Sequence, residues 1–285
     1  MPYFLSFLLF SLFLTPAFLQ AAKKKVEVDA TPFVGYRQDN LEWKTSTGNT
    51  EKWKNLQGIE YGIKSQTTLK DRYKIYLDFY FANFLSGTMT DLNYLAASGS
   101  GNPSKNSING KGFAFRPNIA FGFNMKPLKC LDLIPVIGYA YDYLNLTKNK
   151  NATSALSSLS NTLQWNSPYI GINSKTRFNK RLSMTAGAAF NLAFYQGSGH
   201  WRFQNNGTKN TMSQGGNGIG LMGQVGLNYL LVKSVAVGAE ADIRWDRVNQ
   251  GHDRRHFANG TTAKSKLNNV NWTTFATRLT LTKTF

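Results

Sequence analysis

Between Gly112 and Met125 the chain reads GFAFRPNIAFGFNM, and its character changes at every step. Phe113, Phe115, Pro117, Ile119, Phe121, Phe123 and Met125 share one face; Ala114, Arg116, Asn118, Ala120, Gly122 and Asn124 share the other. A β-strand sends successive side chains to opposite faces, so this is a strand with one greasy and one small or polar side. Pro117 has no N–H for a ladder, which predicts a local irregularity there. The same period recurs. Tyr73, Ile75, Leu77, Phe79 and Phe81 oppose Lys74, Tyr76, Asp78 and Tyr80. Leu182 to Phe194, Ile219 to Tyr229, Val235 to Trp245 and Phe275 to Phe285 repeat it.

Ten such segments are predicted, over 25–43, 56–68, 72–87, 111–126, 132–147, 166–178, 181–196, 217–231, 234–249 and 269–285. Their connections alternate in length. Short ones fall at LKDR, KPLKC, FNK and LVKS, and long loops are expected over 44–55, 88–110, 148–165, 197–216 and 250–268. Short turns on one rim and long loops on the other predict an all-β fold: a ten-stranded antiparallel transmembrane β-barrel of the bacterial outer membrane. Many segments exceed the roughly 9–11 residues needed to cross a bilayer, so they would project past the outer leaflet. A soluble lipocalin-like barrel or sandwich is the competing reading, with the apolar face turned inside.

Residues 1–22, MPYFLSFLLFSLFLTPAFLQAA, carry no side-chain charge and precede KKK. An apolar core, a Pro16 break and a small-residue end predict a secretory signal peptide, with a membrane anchor as the alternative. Residues 23–285 are then a single barrel domain. Hydrophobic residues are 42% of the chain and mean hydropathy is −0.33. That is too polar for a helical membrane protein and suits a barrel, in which alternate residues face lipid. Cys130 is the only cysteine, which excludes an internal disulfide.

The formal net charge is +18. Export argues against nucleic acid and favours an anionic lipid surface or an acidic ligand. The predicted loop side carries Lys52, Lys54, Lys105, Lys111, Lys148, Lys150, Arg202, Lys209, Arg254, Arg255, Lys264 and Lys266 against Glu42, Glu51, Asp91 and Asp253. Phosphorylated lipopolysaccharide is the expected partner, since Lys and Arg bind phosphate oxygens. Trp43, Trp53, Trp165, Trp245 and Trp272 sit near loop-side strand ends, where an interfacial girdle would put them. The inward face carries Lys74, Asp78, Arg116, Glu240, Asp242, Arg244, Asp246 and Arg278. In a narrow ten-stranded lumen these should pair and plug it. A small selective pore is the alternative. No cofactor is expected.

Several stretches resemble the omptin family, ten-stranded outer-membrane endopeptidases with a site at the extracellular rim. LQGIEYGIK resembles the family's second strand, and GTMTDLNYL the segment that ends the third strand with an Asp-x-Asp pair. SPYIGINSKTRFNKRLSMTAGAAF resembles the strand six to seven hairpin, and IRWDRV the end of strand nine. The resemblance implies a water activated between an Asp pair and a His–Asp dyad. Asp91 matches the first Asp, but Asn93 stands at the second position. His200 matches the dyad histidine, but Ser198 stands where its aspartate belongs. An amide cannot take a proton from water at ordinary pH. Loss of the orienting carboxylate costs about 10⁴ in turnover in triads. The expected function is therefore a surface-interaction or lipopolysaccharide-contacting barrel with a degenerate protease site. Its alternatives are an active rim endopeptidase acting on peptides and a small porin. A host surface ligand is a further expected partner.

Overall fold

The computed structural model describes residues 26–48, 50–91, 106–148, 156–203 and 209–285. The predicted signal peptide lies outside them. Eleven strands run β1 Val26–Thr45, β2 Thr50–Leu69, β3 Tyr73–Asp91, β4 Asn106–Phe123, β5 Met125–Leu128, β6 Leu131–Lys148, β7 Leu156–Arg177, β8 Leu182–Phe203, β9 Lys209–Val232, β10 Val235–His256 and β11 Thr262–Thr284. They pair antiparallel in the order β4-β3-β2-β1-β11-β10-β9-β8-β7-β6-β5, and β4 also pairs with β6. The sheet therefore closes. The four-residue β5 continues β4 past Asn124, whose N–H bonds the Arg72 carbonyl, so the barrel has ten staves. The β4–β6 register runs from Gly110↔Lys148 to Gly122↔Val136 and skips Arg116 and Pro117, the irregularity that a missing N–H imposes.

The short turns appear where expected, at Lys70–Arg72, Lys129–Cys130, Phe178–Arg181 and Lys233–Ser234. Val26 and Phe285 lie at that same end, which is the periplasmic end of such a barrel. The expected long loops are largely strand instead. β1 and β2 run to Thr45 and from Thr50, leaving a tight turn in which Gly48 adopts φ 84°. β8 and β9 reach Phe203 and Lys209, and β10 and β11 reach His256 and Thr262. Staves of this length are about twice what a bilayer needs, so the extra turns of ladder stand outside the membrane.

Along each stave the chemistry of the two faces changes places. Low on β1, Val34 and Tyr36 point outward and are exposed; higher up, Leu41 and Trp43 point inward and are buried. β6 has Ile137 and Tyr139 outside, then Leu144 and Leu146 inside. β8 has Leu192 and Phe194 outside, then Tyr195 and Trp201 inside, and β11 has Phe275 outside and Trp272 inside. Lipid solvates the apolar outer face of the lower part. Above the lipid only the interior is dry, so apolar side chains must turn inward. Trp43, Trp53, Trp165 and Trp272 thus belong to a fully buried core and form no girdle; of the five, Trp245 alone faces outward.

Beneath this core lies an ionic layer. Arg37 forks onto Asp39 with two 2.9 Å bonds and reaches Glu60 at 3.3 Å. Glu60 also accepts from Arg278 Nε at 2.6 Å, and Arg278 pairs with Asp242. Arg244 pairs with Asp142 and Asp246 and donates to Ser167 Oγ at 2.7 Å. Trp272 caps the layer: its Nε1 donates to Asp39 at 3.1 Å, and its ring lies 5.4 Å from that of Trp165. Buried charges persist only when paired, and here most are held by more than one partner. The expected pairing inside the lumen holds for Glu240, Asp242, Arg244, Asp246 and Arg278.

Candidate functional site

The residues of the predicted protease site fall at different places on the rim. Asp91 is the last residue of β3, where its backbone pairs with Glu51 and Asn106. Asn93 lies outside the described residues. Ser198 is exposed on β8, opposite Thr162 and Ser213, and His200 is opposite Ser160 and Thr211. Strand alternation puts both on the outward face, because Tyr195 and the buried Trp201 occupy the inward one. Asp253, a candidate replacement for the missing carboxylate, points inward on β10. It accepts from Gln214 Nε2 at 2.9 Å, Arg255 Nε at 2.9 Å and Ser265 Oγ at 3.2 Å. Gln214 also accepts from Tyr195 at 2.9 Å. Asp246 is held in the ionic layer by Arg244 and by Asn191 at 2.7 Å. Neither carboxylate faces outward with His200.

The basic rim resolves into an organised surface on the outer wall of β10, β11, β1 and β2. Arg254 stands directly opposite Lys264, and His252 directly opposite Lys266. All four are exposed on the outward face. Arg254 and Lys264 are like charges facing each other across a ladder and repel, so the fold tolerates a cost there that an anion would remove. Further round, Lys44 and Lys52 both bond Glu42 at 3.1 Å. Partial burial works against the Glu42 carboxylate, yet hydrogen bonds from Lys52 and Lys44 hold its pKa below the ordinary value. Lys54 and Lys111 are also exposed. Arg255 departs from expectation: it turns inward to Asp253.

Sequence reasoning missed the like-charge pairing. The signal was the run RR at 254–255 and K-x-K at 264–266, but register decides which residues meet. Nor do the described residues gather three or more metal-ligating side chains at one place.

Above the ionic layer the described residues pack an apolar core into the lumen. Trp165 packs 4.8 Å from Tyr195 and 5.4 Å from Trp272, with Leu163, Leu144, Val248 and Val270 fully buried around them. Below the ionic layer a cavity of about 470 Å³ reaches the short-turn end.

The family model Pom, Protochlamydia outer membrane protein, matches residues 32–285. The outer membrane protease OmpT from Escherichia coli superposes with TM-score 0.72 at 14% identity, over 91% of this chain and 97% of that chain. The translocator domain of the autotransporter NalP from Neisseria meningitidis gives TM-score 0.42 at 11% identity, over 92% and 89%. No curated protein sequence matches the chain. The likeness to OmpT is one of fold, and the omptin resemblance stands at that level.

Proposed function

This chain belongs to the Protochlamydia outer membrane protein (Pom) family and lies in the bacterial outer membrane, and from that premise we propose that it is a closed barrel whose outer wall contacts the phosphates of lipopolysaccharide. The carrying observation is the pair of opposed cations Arg254 and Lys264, exposed above the apolar belt, with His252 facing Lys266 beside them. The ladder there projects beyond the outer leaflet, on the side where the phosphorylated sugars of lipopolysaccharide extend past the acyl chains. Arg offers a bidentate fork to a phosphate and Lys a point charge, so the two together suit a phosphorylated sugar. Lys44 and Lys52 extend the surface, with Glu42 tempering it.

The plugged lumen favours this reading over a pore, and the outward Ser198 and His200 favour it over a rim protease. The test is calorimetric titration of lipid A into the folded barrel in zwitterionic micelles over a range of salt. Binding should weaken steeply as salt rises, since phosphate contacts by Lys and Arg are screened. Salt-indifferent binding would reject the reading.

A further inference from the structure

Each of the four short turns carries an exposed cation, Arg72, Lys129, Arg181 and Lys233 in chain order, and Lys283 follows near the end of β11. Lys70, Lys126 and Lys180 add a second cation in or beside three of the turns. Asp71 is the one acid within those turns. The other acids at this end face the lumen. Glu27 and Asp29 line the cavity, where Asp29 accepts from Thr284 Oγ1 at 2.6 Å, and Asp132 pairs with Arg177 at 2.7 Å. The exposed periplasmic rim is therefore a ring with one dominant sign.

The apolar belt reaches the same level. Phe178 lies within the third turn and is 58% exposed, Val232 precedes the fourth and is 61% exposed, and Phe285 is 64% exposed. Tyr73 and Phe123, exposed at the lower ends of β3 and β4, meet edge to face at 5.8 Å. A row of bare apolar side chains on a barrel wall is solvated by lipid, so the lower edge of the bilayer lies at the turns. The cations are set against that edge. Arg181 Nη1 donates to the hydroxyl of the exposed Tyr229 at 3.3 Å. Lys283 Nζ donates to Ser234 Oγ at 2.8 Å and lies 5.9 Å from the Phe285 ring centroid. Long basic side chains lay their stems along apolar surface and put their charge among headgroups, the depth at which tyrosine rings also settle.

We infer that the periplasmic rim is a binding surface for anionic phospholipids of the inner leaflet, the cations of each turn holding headgroup phosphates. A lipid fits better than a soluble acidic polymer because the charges stand at the edge of the apolar belt. The turns are only two to four residues long, so they do not carry those charges far into the periplasm. Nothing in the lipid A reading requires this surface, which lies at the opposite end of the staves from Arg254 and Lys264.

The test is native mass spectrometry of the folded barrel released from nanodiscs of equal phosphatidylglycerol and phosphatidylcholine. The parent protein carries Arg254→Gln/Lys264→Gln/Lys266→Gln, so that the outer-wall cations contribute nothing. Retained phosphatidylglycerol should exceed retained phosphatidylcholine. Arg181→Gln/Lys233→Gln/Lys283→Gln should cut that excess by about threefold or more, since each Lys or Arg near an anionic surface adds to lipid binding. Arg72→Gln/Lys129→Gln, on the other two turns, should lower it as well. The charge-preserving Arg181→Lys/Lys233→Arg/Lys283→Arg should keep it. Equal retention of the two lipids by the parent overturns the inference, as does an excess that both neutralised variants keep or that the charge-preserving variant loses. Equal retention together with charge-dependent sedimentation on isolated cell-wall sacculi would also overturn it, assigning the rim to the polymer.

Discussion

The guanidinium carbon of Arg244 lies 4.7 Å from the centroid of the Trp272 ring, joining the ionic layer of the lumen to the aromatic plug above it. The contact carries a mechanical consequence. A cation over an indole face is held by the ring quadrupole, and desolvation strengthens it. Trp272 also donates to Asp39, so one ring links two arginine clusters.

Removing the plug should open the lumen. Trp165→Ala with Trp272→Ala deletes two fully buried indoles whose ring centroids lie 5.4 Å apart. Each truncation costs about 3–5 kcal/mol by the usual core scale. Planar bilayers should show a silent wild type and discrete conductance for any double variant that still folds. Conductance of equal size in both would mean that the plug does not close the barrel.

Arg244→Met should destabilise more than its size suggests. It leaves Asp142 and Asp246 buried beside each other without their cation. Breaking such a buried set costs roughly 3–5 kcal/mol. Adding Asp142→Asn and Asp246→Asn should recover part of the loss, read as the denaturant midpoint of the barrel in vesicles.

Glu42 holds Lys44 and Lys52. Its lowered pKa means that the pairing stabilises the rim above the ordinary carboxylate range and is lost as pH falls through the depressed value. Glu42→Gln should therefore strengthen lipid A binding at neutral pH by about two- to threefold, the scale of an exposed pair. The wild type should approach the variant once acid protonates Glu42. Identical affinities at neutral pH would mean that these lysines do not reach the lipid.

The outward placement of Ser198 and His200 predicts no protease chemistry at β8. A randomised fluorogenic peptide library should be cleaved no faster by the folded barrel than by its Asp91→Asn and His200→Ala variants. Cleavage that either substitution abolishes would restore the rim endopeptidase.

The barrel was legible in the sequence wherever lipid forces alternation: Phe113 to Phe123 and Leu182 to Phe194 face as the pattern says. Above the bilayer both signals fade. Gln196 and Ser198 replace apolar residues outside, while Trp201 and Met212 carry the burial inside, so residues 197–216 resembled a loop. The tryptophans misled for the same reason, since a buried indole and an interfacial one have the same neighbours in sequence. Register was also illegible. It depends on bulges such as those at Asp39/Leu41 and Val248/Gln250, and it alone places Arg254 against Lys264.

The most direct measurement compares lipid A binding by the wild type and by Arg254→Gln/Lys264→Gln/Lys266→Gln, both folded in nanodiscs of defined composition, by native mass spectrometry. Retained lipid A on the wild type and its loss from the triple variant, with the thermal midpoint unchanged or raised, is the predicted result. The rise would follow from relief of the cross-strand repulsion. Equal lipid A occupancy in the two proteins would contradict the account.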